Sequence, residues 1–246
     1  MSSVGADEVW ERLTAGRPAF GAAPIGRPLV CLNMVSSVDG ATTIDGRVGE
    51  LTGPVDQALL HRLRSESDAV LVGAGTVRAE GYGALLPAEQ RRRREQERGA
   101  QEPLLCVVTS RPALPENAPA LAPAPSPLVF LTGSAEPLPR AARALLALRP
   151  SVGVSPTGAL RLAPLLCRLR AELGVERIVC EGGPTLNASL FAEDLVDEAF
   201  VSVSPLMAQE RTSPGMVARS APAAHLELLA AAKCGDFVFL RYRTRR

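Results

Sequence analysis

The sequence predicts an α/β protein with a mostly parallel central sheet, and three features of the chain lead to this prediction. Short apolar runs alternate with segments of helical periodicity through most of its length. Some of these runs end in glycine or a turn-forming residue, as tight β–α connections do. Near the C-terminus strand-like segments follow one another directly, which predicts an antiparallel edge. We expect helices to flank the sheet.

Composition limits the class of protein before any motif is considered. The chain has 246 residues and a net charge of +1, so one large domain is expected, with neither a nucleic-acid partner nor a membrane partner. We find no apolar run long enough to span a bilayer and no signal-peptide core. The five cysteines form no C-x-x-C pair, which favours a reducing, cytoplasmic location and predicts no metal site. Residues 1–27 are predicted to be an N-terminal extension and residues 28–246 a single domain.

Local signals justify the predicted elements of the first half of the chain. Trp10 lies in a short amphipathic helix and is expected to pack on the main body. Asp39-Gly40 is a strong turn signal after the first strand, and Pro54 suits the first turn of a helix. The run Arg91 to Arg94 lacks the interleaved aromatic residues of a nucleic-acid-binding patch. We therefore interpret it as a solvated loop or surface helix. The predicted strands are 29–35, 68–72, 104–109 and 128–131, and the predicted helices are 7–15, 54–67 and the short 73–80.

The second half of the chain repeats the alternation and then closes with strands. A proline-rich crossover at 113–127 separates two of the strands. Cys234-Gly235-Asp236 is expected to form the turn of a closing antiparallel pair. The predicted helices are 138–148, 160–173 and 184–193, and the predicted strands are 152–154, 178–180, 196–204, 226–229 and 237–242.

One stretch, residues 177–186, combines several features of a nucleotide site. A buried strand ends at Glu181, and Gly182 and Gly183 allow a ligand to approach the bare backbone. Pro184 suits the start of a helix, whose amides from Thr185 onward would face an anion such as a phosphate. An ordinary tight β–α turn is the alternative interpretation.

Several reaction classes are excluded by their missing motifs. The chain has no P-loop and no G-x-S-x-G motif, and its two histidines are isolated. Gly73-Ala74-Gly75 begins like a Rossmann fingerprint, but Arg78 stands where the third glycine is required. After the next strand, Thr109-Ser110-Arg111 offers two hydroxyls and a cation, which suit a 2′-phosphate and hence NADP. The same trio is also compatible with a strand end and a helix cap.

Three motifs together resemble the riboflavin-biosynthesis pyrimidine reductases. These are Asn33-Met34-Val35-Ser36-Ser37-Val38-Asp39-Gly40, Arg64 with the stretch 67–77, and Val179-Cys180-Glu181-Gly182-Gly183-Pro184-Thr185-Leu186. The resemblance runs from about Pro28 to the C-terminus and matches the reductase half of the bifunctional deaminase–reductase. It implies a dihydrofolate-reductase-like fold, NADPH as hydride donor, 5-amino-6-(5-phosphoribosylamino)uracil as substrate, and a homodimer.

The resemblance also implies roles for individual residues. Arg64 would meet the substrate, plausibly at its phosphate, and Glu181 would hold the pyrimidine or the ribose. Asn33 would lie in the substrate pocket, at a position where many family members carry lysine. The implied cofactor contacts are Val35, Thr52, Gly73, Thr76, Ser110, Gly182, Gly183, Pro184, Thr185, Leu186 and Asn187.

Reduction of the substrate's open-chain imine at C1′ also requires a proton donor. The candidates are Glu80, Asp39 and Glu181. Glu80 occupies the family position usually held by Asp and is the first choice, whereas Asp39 also fits a turn-forming role. The segment 80–87 departs from the family's substrate-binding pattern. Two alternatives therefore stay open: a dihydrofolate-type reductase on the same fold, and a non-catalytic nucleotide-binding protein.

Overall fold

The computed structural model describes residues 3–110, 114, 118–121, 126–132, 160–209, 215–218 and 221–246. The predicted helix 138–148 and strand 152–154, and most of the proline-rich crossover, lie outside these residues. The described elements, in chain order, are α1 (Ser3–Thr14), β1 (Leu29–Ser37), α2 (Pro54–Glu66), β2 (Ala69–Gly73), α3 (Ala74–Glu80), α4 (Ala88–Arg98), β3 (Leu104–Val108), β4 (Leu128–Leu131), α5 (Leu162–Leu173), β5 (Arg177–Cys180), α6 (Pro184–Ala192), β6 (Glu198–Ser204), β7 (Leu226–Cys234) and β8 (Phe237–Thr244).

The chain divides into two compact units. The first unit comprises Met1–Gly21, Val30–Leu63 and Cys180–Arg246, and the second comprises Ala22–Leu29 and Arg64–Val179. Among the described helices, none is both long enough and apolar enough to cross a membrane.

The second unit is built on a parallel sheet with the strand order β4-β3-β2-β5. Strand β3 is parallel to both neighbours, with Ala69 opposite Leu104 on one side and Leu105 opposite Leu128 on the other. All five residues of β3 are buried. A strand covered on both faces needs an apolar side chain at every position, which explains the continuous run Leu-Leu-Cys-Val-Val.

The first unit supplies the antiparallel edge, with the strand order β1-β6-β8-β7. Strand β1 is parallel to β6, whereas β8 is antiparallel to both β6 and β7. The structure therefore confirms the predicted fold class. Strand β7 extends to Cys234 and so is longer than the predicted 226–229. Its three central alanines are weak strand formers, but pairing with β8 keeps them extended.

The N-terminal helix packs on the first unit. Trp10 is 5% exposed, and its ring is stacked 6.3 Å from that of Phe200, which confirms the packing predicted for it. The buried Arg241 pairs with Glu198 at 2.7 Å and also donates to the carbonyl of Ala19 at 3.0 Å. A buried guanidinium requires such a set of acceptors, and the N-terminal segment provides part of it.

The arginine run lies on a helix, but one of its members is not solvated. Arg94 is 4% exposed and donates to the carbonyls of Ala100 and Ser67, both at 2.8 Å. The interpretation of the run as solvated is therefore wrong for Arg94. Spacing within α4 could not reveal this burial, because both acceptors lie outside the helix.

Candidate active site

The diglycine corner follows β5 in the first unit. Gly182 has a φ of +80°, a conformation that side-chain-bearing residues rarely adopt, and the Gly182–Gly183 peptide bond is cis. A Cβ added at Gly182 would lie 3.2 Å from Asn187 Nδ2 and 3.3 Å from Met34 Sδ. The backbone of the corner is thus packed against two side chains, with no room for a third.

Asn187 joins the corner to a later segment of the chain. Its side chain is fully buried, and Nδ2 donates to the carbonyl of Met216 at 2.7 Å. The amide of Ala218 donates to the carbonyl of Pro184 at 3.0 Å, so residues 215–218 lie against the start of α6. Burial raises the pKa of the neighbouring Cys180 to about 12, so this residue remains a thiol rather than a thiolate nucleophile.

Helix α6 begins with a geometry suited to an anion. Gly183 is the N-cap and Pro184 is the first helical residue, and no described side chain caps this N-terminus by hydrogen bonding. Thr185 is exposed, whereas Leu186 is buried. A helix start that leaves backbone N–H groups uncapped is electrostatically favourable for a phosphate. The structure confirms the predicted helix start at Pro184.

The two site residues predicted on β1, Asn33 and Val35, lie on one face of the strand, and Met34 lies on the other. Met34 contacts Asn187 from one face, with Sδ 3.5 Å from Nδ2. Side chains alternate along a strand, so Asn33 and Val35 lie on the other face. There Asn33 lines a small, mainly apolar cavity with Leu13, Leu59, Leu63, Phe200, Val201, Ser202, Phe239 and Leu240.

A buried acid beside Thr52 went unrecognised in the sequence. Thr52 Oγ1 donates to Asp56 Oδ2 at 2.5 Å, and Asp56 is only 8% exposed. Burial raises the pKa of the Asp56 carboxyl, while hydrogen bonds from Ser202 and Thr52 lower it to a smaller extent. An acid in the first turn of a helix is common and indicates nothing unusual, so its burial was not foreseeable.

Asp39 connects two loops of the first unit. Its carboxylate accepts hydrogen bonds from Ser37 Oγ at 2.5 Å and from the amides of Ala208 and Gln209 at 3.0 and 2.8 Å. The hydrogen bonds from Ser37, Gln209 and Ala208 lower the pKa of Asp39. These donors favour the anion, which makes Asp39 a better acceptor than proton donor.

In the second unit, two of the predicted cofactor residues lie at the β2–α3 connection. Gly73 ends β2, and Thr76 is in the seven-residue helix α3, whose exposed last residue is Glu80. Ser110 follows β3 and is also exposed. These positions leave the Glu80 carboxyl and the Ser110 hydroxyl accessible.

Arg64, near the end of α2, is also part of the second unit. Its Nη1 donates to the carbonyl of Leu85 at 2.9 Å, and its Cζ lies 5.6 Å from the centre of the Tyr82 ring. The segment that departs from the family pattern therefore contacts the arginine expected to meet the substrate.

Within the described ranges, no group of three or more histidine, cysteine, aspartate or glutamate residues is placed to hold a metal ion.

Comparison with known proteins places the fold in a class. A solved dihydrofolate reductase from Enterococcus faecalis aligns with 89% of this chain and 97% of its own, with a TM-score of 0.51 and 12% identity. A pyrimidine reductase-like protein from Corynebacterium diphtheriae aligns with 98% of this chain and 99% of its own, with a TM-score of 0.76 and 23% identity. The protein thus has a dihydrofolate-reductase-like α/β fold, as predicted.

Sequence comparison then identifies the family. Residues 28–239 match the model of the RibD C-terminal domain, and the chain belongs to this family. Two relatives are each named 2,5-diamino-6-ribosylamino-4(3H)-pyrimidinone 5′-phosphate reductase. The Archaeoglobus fulgidus protein is 33% identical over 76% of this chain and 85% of its own length. The Methanothermobacter thermautotrophicus protein is 31% identical over 89% of this chain and 99% of its own length. The chain is therefore an oxidoreductase of riboflavin biosynthesis, which confirms the predicted reductase activity.

Proposed function

We propose that this protein is an NADPH-dependent reductase of 2,5-diamino-6-ribosylamino-4(3H)-pyrimidinone 5′-phosphate. One observation carries the choice of substrate: a relative with that name is 31% identical along 99% of its own length. The aminouracil 5-amino-6-(5-phosphoribosylamino)uracil, expected from the sequence, differs by an oxo group where this compound has the 2-amino group. It is retained as the second candidate.

The cofactor proposal is supported by the backbone of the diglycine corner. An added Cβ at Gly182 would meet two side chains, so the chain here is kept bare, and the start of α6 offers uncapped amides. In the first unit, Val35, Thr52 and the stretch Gly182 to Leu186 would hold NADPH. Asn187 would support this stretch from within, because its side chain is buried and its amide donates to the carbonyl of Gly183 at 3.0 Å. In the second unit, the proposed contacts are Gly73, Thr76 and Ser110. NADPH, when bound, supplies the hydride.

A preference for NADPH over NADH is supported by the end of β3. Ser110 is exposed there and is followed in sequence by Arg111. A hydroxyl and a guanidinium are suited to a 2′-phosphate, whereas an acid would suit the free ribose hydroxyls of NADH.

The chemistry requires one proton in addition to the hydride. In the open-chain imine of the substrate, C1′ gains the hydride and the nitrogen gains the proton, so the C=N bond becomes a secondary amine. We assign the proton donor to Glu80, which is exposed, rather than to Asp39, whose hydrogen bonds favour the anion. Arg64, Glu181 and Asn33 are proposed to bind the substrate, with Arg64 on the 5′-phosphate.

The test is a comparison of three acceptors in one assay. Loss of NADPH absorbance would be measured with the diaminopyrimidinone phosphate, the aminouracil phosphate and dihydrofolate. We expect the highest kcat/KM for the first. A preference for dihydrofolate would identify a dihydrofolate-type reductase, and NADPH binding without turnover of any compound would identify a non-catalytic nucleotide-binding protein.

A homodimer is proposed from the edge of the first unit. Leu226, Leu228 and Val238 on the β7–β8 hairpin are 39%, 54% and 38% exposed. Apolar side chains on an edge hairpin favour association with a second copy. Light scattering should give twice the chain mass, and Leu228→Lys should reduce it to the mass of one chain. A single-chain mass for the unmodified protein would contradict the proposal.

The cysteines support a cytoplasmic location. The five cysteines are free, and three of them are fully buried thiols, as expected in a reducing cytoplasm.

The family match begins at residue 28, which supports an extension at 1–27 and a reductase domain from 28 onward.

A further inference from the structure

Glu102 is a buried carboxylate surrounded by hydrogen-bond donors in the second unit. The residue is 4% exposed. Its Oε2 accepts from the amide of Leu85 at 3.1 Å and from Ser126 Oγ at 3.3 Å, and its Oε1 accepts from the amide of Leu86 at 3.4 Å. Arg91 Nε lies 3.7 Å from Oε1. These donors need a side chain that accepts hydrogen bonds at both of its terminal atoms, as a carboxylate does. In a glutamine, the NH₂ group would instead face some of these donors.

Leu85 connects this carboxylate to Arg64. The backbone of Leu85 is bonded on both sides: its amide donates to Glu102, and its carbonyl accepts from Arg64 Nη1 at 2.9 Å. Leu85 and Leu86 are 1% and 3% exposed, so their side chains are packed as well. The position of the acceptor that Arg64 uses is therefore set by Glu102, which lies 17 residues further along the chain than Leu85.

We propose that Glu102 is a positioning residue for the substrate: by fixing the Leu85 peptide, it orients the Arg64 guanidinium that binds the 5′-phosphate. This inference rests on the proposed function, because it requires Arg64 to contact the substrate phosphate. A guanidinium binds phosphate as a planar fork, so its orientation determines whether two parallel hydrogen bonds form. One hydrogen bond to a fixed carbonyl restricts that plane.

The expected signature is a selective loss of phosphate recognition. In Glu102→Gln, the KM for the phosphorylated pyrimidine should rise about tenfold, the size expected for a lost charge-assisted hydrogen bond. The kcat and the KM for NADPH should change less than about twofold, because the lost interaction stabilises the bound pyrimidine and the transition state equally. The preference for the phosphorylated over the dephosphorylated pyrimidine should fall by the same tenfold factor.

Two further variants separate positioning from general destabilisation. Asp197 also accepts a backbone amide, that of Val30 at 2.8 Å, so Asp197→Asn should lower the Tm and leave the phosphate preference unchanged. Glu102→Asp keeps the carboxylate but shortens it by one methylene, and it should raise the substrate KM by about threefold. The shorter variant carries the test if Glu102→Gln fails to fold.

A double-mutant cycle with Arg64→Lys completes the experiment. The lysine keeps the charge but lacks the planar fork, so it should lose most of the phosphate preference, and adding Glu102→Gln should cost little more. Unchanged preference in both Glu102 variants, with loss in Arg64→Lys, would overturn the proposal while leaving the reductase function intact. Unchanged preference in Arg64→Lys would also overturn it. Absence of turnover of any pyrimidine phosphate by the unmodified protein would overturn the proposed function and this inference together.

Discussion

Asn187 Nδ2 donates a hydrogen bond of 2.7 Å to the carbonyl of Met216, which lies 29 residues further along the chain. The bond holds residues 215–218 against the first turn of α6, beside the diglycine corner. The same amide nitrogen would lie 3.2 Å from a Cβ added at Gly182. The corner, the helix start and the later segment are therefore coupled through one buried side chain.

Asn187→Ala should destabilise the fold and weaken cofactor binding. The Met216 carbonyl would lose its buried donor, which costs about 1–3 kcal/mol. Urea unfolding measures the free energy of unfolding, and calorimetry measures the NADPH affinity. Ser189→Ala is the control, because its hydroxyl makes only an exposed bond to Thr185 and its loss should change the free energy by less than about 0.5 kcal/mol. Equal effects of the two substitutions would refute this role.

Gly182→Ala should be poorly tolerated, for two reasons that act together. The positive φ costs a residue with a side chain about 1–3 kcal/mol, and the new methyl would press on Asn187 and Met34. We expect a lower Tm and reduced NADPH affinity. Gly75→Ala is the matched control, because a Cβ there meets nothing within 4 Å and the residue lies in a helix, where alanine stabilises by about 0.5–1 kcal/mol. A stabilised Gly182→Ala protein would contradict the geometry.

Asp56 should make stability fall as pH rises. Burial raises the pKa of Asp56 in the folded protein above the ordinary 3.8. The stability that this residue contributes is therefore fully present below pH 3.8 and is lost as the pH rises through the folded pKa. Asp56→Asn removes this titration, so the variant should gain stability relative to the unmodified protein as the pH rises above 3.8. Urea unfolding at a series of pH values measures the difference. A difference that does not change with pH would show that Asp56 is not responsible.

Asp39 should show the opposite dependence. Hydrogen bonds from Ser37, Gln209 and Ala208 lower its folded pKa, so its contribution is present above 3.8 and is lost as pH falls through the lower folded value. Asp39→Asn should therefore flatten the acid limb of the stability curve. The measurement is the same series of unfolding experiments, extended below about pH 4.

Glu80→Gln should abolish most of the proton donation while leaving cofactor binding intact. Removal of a general acid lowers kcat by about 10²–10⁴-fold, and the NADPH affinity should stay within about twofold. Asp39→Asn serves as the comparison and should retain kcat within a few fold, since its carboxylate is engaged by loop amides. Stopped-flow single turnovers measure the chemical step directly. If Asp39→Asn loses the larger share of the rate, the roles of the two acids are reversed.

The diglycine corner and β3 show how far local patterns reach. Gly182 and Gly183 permit backbone conformations that other residues rarely adopt, and Pro184 fixes its own φ, so the strand end and the helix start were predictable. The all-apolar β3 likewise predicts a strand buried on both faces. Strand β7 was underestimated, because its alanines are extended only through pairing with β8.

Buried polar groups were the main feature that local patterns could not reveal. Arg94 and Glu102 are ordinary surface residues by type, and each is buried because its partners come from distant parts of the chain: Ser67 for the arginine, and Leu85 with Ser126 for the glutamate. Sequence motifs do not encode such partners. The pKa of Asp56 depends in the same way on Ser202, which is remote in sequence.

By itself, the sequence determined the α/β class, the glycine corner with the helix that begins at Pro184, and the family, because these depend on local backbone preferences and on spacings within short stretches. Tertiary structure decided which acids are buried, which arginine of the run is buried, and which peptide holds Arg64. The physical reason is that a charge leaves water only where donors or acceptors from several segments meet it, and only the folded chain brings those segments together.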